Sequence, residues 1–201
     1  MPETLQRMSP LDGFRAAAAK VPKPAAVGVH LTERQFLGYL NLRGDPENSS
    51  FVEGVQQCLG VSLPVLPNTL SQSGSVTALW LSPDEWLLIT QNSKDVELAS
   101  RLRTALHDLH VAITDLPDGQ TTLHLSGANA LDVLRKGCHL DLHPSVFGFR
   151  NCAQTLVAKA PVVVWRGDDL SCFNLIIRRS FAEYLALWLQ DAGSEYGFEM
   201  G

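Results

Sequence analysis

The chain carries two copies of one pattern of elements, offset by about 84 residues. In the first half, Tyr39-Leu40-Asn41-Leu42-Arg43-Gly44 leads into a helical stretch. Ala78-Leu79-Trp80-Leu81 and Trp86-Leu87-Leu88-Ile89 then flank the turn sequence Ser82-Pro83-Asp84-Glu85. In the second half, Thr122-Leu123-His124-Leu125-Ser126-Gly127 leads into another helix, and Val163-Val164-Trp165-Arg166 runs through Gly167-Asp168-Asp169 toward Phe173-Asn174-Leu175-Ile176-Ile177. Trp80 aligns with Trp165 and Gly44 with Gly127. Self-similarity of this kind constrains the fold before any single motif does, because both copies must close the same structural unit.

Each copy reads β-α-β-β-α-β. Phe36 to Leu42 is predicted as the first strand. The spacing Ser50-Phe51-Val52-Glu53 is that of a capping box, with Phe51, Val55, Cys58 and Leu59 on one helical face and Gly60 as its stop. Thr77 to Leu81 and Trp86 to Thr90 are strands around a turn, Lys94 to Leu109 is a helix, and Val111 to Asp115 closes the unit. In the second copy, Thr121 to Leu125 is a strand, Gly127 to Lys136 a helix stopped by Gly137, and Ala153 to Trp165 one long or two broken strands marked by Pro161. Phe173 to Arg178 follows, and Ser180-Phe181-Ala182-Glu183 has the spacing of a second capping box before the stripe Phe181, Tyr184, Leu185, Trp188 and Leu189. The expected fold is α+β, with two tandem ferredoxin-like units at about 35–116 and 120–193 inside a single domain over 31–201. Residues 1–30 are broken by Pro2, Pro10, Pro22 and Pro24. Ala16 to Ala19 supplies at most one helical turn there, so this stretch is expected as an extended arm that frays or lies on its own domain or a partner.

The chemistry-bearing groups are sparse. Cys138, His139, Asp141 and His143 offer zinc-ligand atom types, but the only candidate fourth ligand is Cys152, and no second paired cluster exists. Gly127 and Gly44 stand between strand and helix without a phosphate-loop pattern, and Asp45 and Glu47 beside Gly44 would repel an anion. Asp84-Glu85 and Asp168-Asp169 fall at equivalent turns and read as turn formers rather than an acid/base pair. No G-x-S-x-G elbow is present, and the six histidines are scattered. The net charge of −5 excludes a basic nucleic-acid footprint. No run reaches the ~20 apolar residues of a membrane span, and Met1-Pro2-Glu3-Thr4 carries no signal-peptide pattern, so a cytoplasmic location is expected. The four cysteines lack C-x-x-C spacing, which agrees with a reducing compartment. Trp80, Trp86, Arg178 and Arg179 are the candidate anchors of a partner interface, since Trp and Arg contribute disproportionately where proteins meet.

Longer motifs resemble a known family. Leu79-Trp80-Leu81-Ser82-Pro83-Asp84-Glu85-Trp86-Leu87-Leu88 is similar to a signature of the gamma subunit of heterotetrameric sarcosine oxidase. Leu125-Ser126-Gly127-Ala128-Asn129-Ala130-Leu131-Asp132-Val133-Leu134 belongs to the same set, with Lys136-Gly137-Cys138-His139-Leu140-Asp141-Leu142-His143-Pro144 after it. So do Cys152-Ala153-Gln154-Thr155-Leu156, Arg179-Ser180-Phe181-Ala182-Glu183-Tyr184-Leu185 and an early Ser9-Pro10-Leu11. The resemblance implies a fold related to the folate-binding aminomethyltransferase domain of the glycine cleavage system. It also implies partnership with alpha, beta and delta subunits in a complex that demethylates sarcosine to glycine, with hydrogen peroxide and either formaldehyde or methylenetetrahydrofolate as further products. FAD, FMN, NAD and zinc then belong to the partner subunits and tetrahydrofolate is the acceptor. The family assigns no catalytic, cofactor or metal residue to this chain.

Lys136-Gly137-Cys138-His139 also resembles the K-G-C-Y-x-G-Q-E motif of folate-dependent iron–sulfur maintenance proteins. Here Asp141-Leu142-His143 replaces the Gly-Gln-Glu, which removes most of that support. The reading of the sequence is therefore a non-catalytic structural subunit of a sarcosine oxidase complex. The alternative is a stand-alone folate-binding one-carbon enzyme or accessory protein, which would need an acidic residue to hold the pteridine.

Overall fold

Strands that are apolar on both faces must be covered on both sides, and these are. The computed structural model describes residues 7–201 apart from positions 23, 92, 93, 117 and 168. Helix α1 (Asp12–Ala18) precedes β1 (Val29–Arg34), β2 (Gly38–Arg43), α2 (Ser49–Leu59), β3 (Leu70–Ser73), β4 (Val76–Ser82), β5 (Glu85–Thr90), α3 (Asp95–Ala105) and β6 (Ala112–Asp115). The second half runs β7 (Gln120–Ser126), α4 (Ala130–Arg135), β8 (Cys152–Val157), β9 (Ala160–Arg166), β10 (Phe173–Arg178), α5 (Ala182–Gly193) and β11 (Phe198–Met200). One sheet has the order β3-β4-β5-β2-β6 and the other β11-β1-β7-β10-β9-β8.

On β2 and β5, Leu40, Leu42, Trp86 and Leu88 face α2 and α3, while Tyr39, Leu87 and Ile89 face the opposite sheet. On β10, Phe173, Leu175 and Ile177 face the core with α4 and α5, and Ile176 points between the sheets. The result is helices, sheet, sheet, helices. The Trp86 ring is fully buried 5.8 Å from that of Phe51, and its indole N–H donates to the Pro64 carbonyl at 2.7 Å.

The duplication is visible in the pairing. β2, β3, β4 and β5 hold the neighbour relations that β7, β8, β9 and β10 repeat. The symmetry breaks at one place. In the first sheet the strand beside β2 is β6, which ends that half. In the second sheet the equivalent place beside β7 is taken by β1, antiparallel, and β11 adds outside it in parallel. The chain's first strand thus completes its second sheet and ties the two halves together.

Several expectations are corrected. The segment before β1 is not extended throughout: α1 spans seven residues rather than a single turn of alanines, and Leu11 and Phe14 are buried in the core under the second sheet. β1 itself begins at Val29. The first capping box does not form, because the helix starts earlier. Asn48 is the N-cap, and its side-chain oxygen accepts from the Ser50 amide at 3.0 Å and the Phe51 amide at 3.3 Å. The second does not form either: Ser180 lies in a 3-10 turn, Arg179–Phe181, and α5 has no side-chain cap. Gly60 does close α2, at φ 71°. The edge strands β3 and β11 and the strand β1 are additions to the pattern read from the sequence.

Candidate functional site

The layer between the sheets is apolar at its centre and polar at one end. At the centre, the Tyr39 hydroxyl hydrogen-bonds the Thr122 hydroxyl across 2.7 Å, and burial pushes the phenol above its ordinary range. The fully buried Cys152 thiol donates to the Thr69 carbonyl at 3.2 Å, and burial pushes it up to about 11. A thiol in that condition is a packing group rather than a nucleophile.

At the polar end the sheets part around a cavity of about 480 Å³, within the size range of small-molecule sites. Arg34 at the end of β1, Gln72 on β3, Gln91 after β5, Trp165 at the end of β9 and Asn174 on β10 line it. Asn174 is only 1 % exposed, and its side-chain oxygen lies 3.1 Å from His124 Nδ1. Arg34 reaches the same ring nitrogen at 3.5 Å. Arg166, 2 % exposed, spends its three guanidinium nitrogens on the backbone carbonyls of Phe147, Leu170 and Leu142, and lies over the Phe173 ring. Burial lowers its pKa, opposed by the charge of Asp169.

The residues nominated from sequence do not gather. Trp86 is a core residue and no surface anchor, since β5 is covered on both faces. Trp80 is half-buried against the same core at a bulge in β4. Arg178 is exposed at the end of β10. Arg179 donates to the Met8 carbonyl at 2.6 Å and so holds the chain's own N-terminal segment. Cys138 packs in the core with its sulfur 4.0 Å from the Thr155 hydroxyl, and His143 bonds Ser145 beyond it. Among the described residues no three His, Cys, Asp or Glu side chains form a metal-holding group. Gly127 has φ 111°, and a side chain there would strike the Gly28 carbonyl, which already accepts from Asn129 N. The spot of an anion is thus filled by the chain's own backbone. Phe51 lies against Gly44 in the same way. Ser82 and Arg43 hold the Asp84 carboxyl below the usual range, Asn41 donates to Glu85, and the Ser171 hydroxyl and amide hold Asp169 low. Asp168 lies outside the described residues.

Arg34, His124, Asn174 and Arg166 escaped notice in the sequence. One signal was available: Asn174 interrupts the run Phe173 to Ile177, and a polar group in a buried strand demands a partner.

Fold and site define a class first. The chain has the fold of the glycine cleavage aminomethyltransferase T of Bartonella henselae, at a TM-score of 0.68 and 14 % identity over 95 % of this chain and 58 % of that one. The family model for the sarcosine oxidase gamma subunit matches residues 43–195, and the chain belongs to that family. It is 36 % identical to sarcosine oxidase subunit gamma of Corynebacterium sp. strain P-1 over 98 % of this chain and 94 % of the relative. A solved structure, heterotetrameric sarcosine oxidase from Corynebacterium sp. U-96, contains a chain similar to it at a TM-score of 0.84 and 33 % identity, covering 94 % of this chain and 96 % of that one.

Proposed function

We propose that this chain is the gamma subunit of a heterotetrameric sarcosine oxidase, a non-catalytic part that holds the larger chains in place. The single observation behind this reading is the end-to-end likeness to a chain of that solved heterotetramer. Alpha, beta and delta subunits would be its partners, with FAD, FMN, NAD and zinc bound there and tetrahydrofolate as the one-carbon acceptor. The complex would act in the cytoplasm, where it oxidises sarcosine to glycine. No helix among the described residues is long and apolar enough to cross a membrane.

The surface supports a docking role. Val65 and Leu66, between Pro64 and Pro67, are 62 % and 69 % exposed, and Leu187 on α5 is 51 % exposed. Adjacent apolar side chains held in water, as Val65 and Leu66 are, suit a surface that a partner covers, whereas a single one such as Leu187 is ordinary. Trp80 and Arg178 remain interface candidates.

The inter-sheet cavity lacks, among its described lining residues, the acidic residue that a stand-alone folate enzyme is expected to place against the pteridine. Those residues include no Asp or Glu, so the amino edge of a pteridine would have only amide, hydroxyl and backbone oxygens to hold it there. Affinity capture of the tagged chain from cells expressing all four subunits tests the reading. Stoichiometric recovery with the flavin-bearing chains is expected, and recovery of a lone monomer would overturn it.

A further inference from the structure

The cavity presents donors and no described acid. His124 Nδ1 lies nearer the Asn174 oxygen than Arg34, which assigns its proton to Asn174. The Arg34 guanidinium at 3.5 Å then has no acceptor there, and it forms no ion pair among the described residues. The Asn174 oxygen is engaged, so its amide Nδ2 is left without a protein acceptor, in a residue that is only 1 % exposed. That nitrogen borders Gly167, itself part of the cavity wall. Behind both, Arg166 gives its three guanidinium nitrogens to backbone carbonyls, and the charge of Asp169, which is not among the lining residues, opposes the cost of its burial. The Arg34 guanidinium and the unpaired Asn174 amide around one space make a setting that an anion completes. Trp165 and Phe149 on the same wall add a flat apolar surface.

We propose that this cavity binds a small anion, either the carboxylate of an organic acid lying against Trp165 or a phosphate group. The proposal does not depend on the subunit reading above.

Titration calorimetry of the full-length protein with benzoate and, separately, with inorganic phosphate tests it, with benzamide as the neutral isostere of benzoate. Saturable binding of benzoate but not benzamide is expected for a carboxylate site, and saturable binding of phosphate alone for a phosphate site. Arg34→Gln should weaken whichever probe binds by roughly ten- to a hundredfold, the factor for one charge-assisted hydrogen bond, while Arg34→Lys restores part of it. Arg34 is only half-buried, so these variants should fold as the parent does. The proposal is overturned if neither anion binds saturably below about 10 mM, a floor near −2.7 kcal/mol. Equal affinity for benzamide and benzoate, or for Arg34→Gln and parent, would overturn it too.

Discussion

Glu33 fixes the N-terminal segment to the body of the protein, and removing it should detach that segment. Its side chain is 1 % exposed. One carboxylate oxygen accepts from the Ser9 hydroxyl and from Arg15 at 2.8 Å, and the other accepts from the Thr121 hydroxyl at 2.6 Å. Ser9 and Thr121 are themselves buried, so Glu33→Ala strands two hydroxyls and leaves the partly buried Arg15 guanidinium with Asp12 as its remaining carboxylate partner. Breaking a buried pair by deleting one member costs about 3–5 kcal/mol, and stranded hydroxyls add to it less than additively. For a chain of this size that is a fall in Tm of roughly 6–20 °C, at about 2–4 °C per kcal/mol. Glu33→Gln keeps one acceptor and the shape, and should lose about half as much. Thermal unfolding followed by circular dichroism gives the magnitude. Hydrogen exchange gives the place: protection should fall first over α1 and β1. A Glu33→Ala protein within about 1 kcal/mol of the parent, with α1 still protected, would refute the reasoning.

Gly127→Ala should lower Tm by at least about 4 °C, because φ 111° and the Gly28 carbonyl 2.4 Å from the new Cβ both oppose it. Gly13→Ala, within α1 and with nothing inside 4 Å, should instead gain about 0.5–1 kcal/mol in the same measurement. Alkaline pH should destabilise the inter-sheet layer. Unfolded Cys152 releases its proton near 9 but the folded thiol holds it to about 11, and buried Tyr39 shifts in the same direction. Stability is therefore full below pH 9 and falls as pH rises from there toward 11, and urea midpoints across that window check the sign.

The strands of both repeats were legible because alternating and β-branched residues mark them independently of context. Three strands were not. β1 owes its place to pairing with β7 some 90 residues away, β11 owes its place to β1, and β3 reads Leu-Ser-Gln-Ser, whose polarity looks like a loop until an edge position explains it. Trp86 was misread for a related reason: on a strand buried on both faces, alternation no longer tells inside from outside. The capping boxes failed because Asn48 offered its oxygen two residues before Ser50, and because a 3-10 turn holds Ser180 ahead of the helix start at Ala182. The cavity was hidden since Arg34, His124 and Asn174 meet only through the cross-strand register of β1, β7 and β10.

The subunit role is tested most directly by omission. The partner chains are expressed with and without this one, and sedimentation, bound flavin and sarcosine-dependent hydrogen peroxide are measured. A scaffold predicts that without it the complex loses mass beyond the 22.0 kDa of this chain, together with flavin and activity. An assembly lighter by that mass alone, with full flavin content and full turnover, would contradict it.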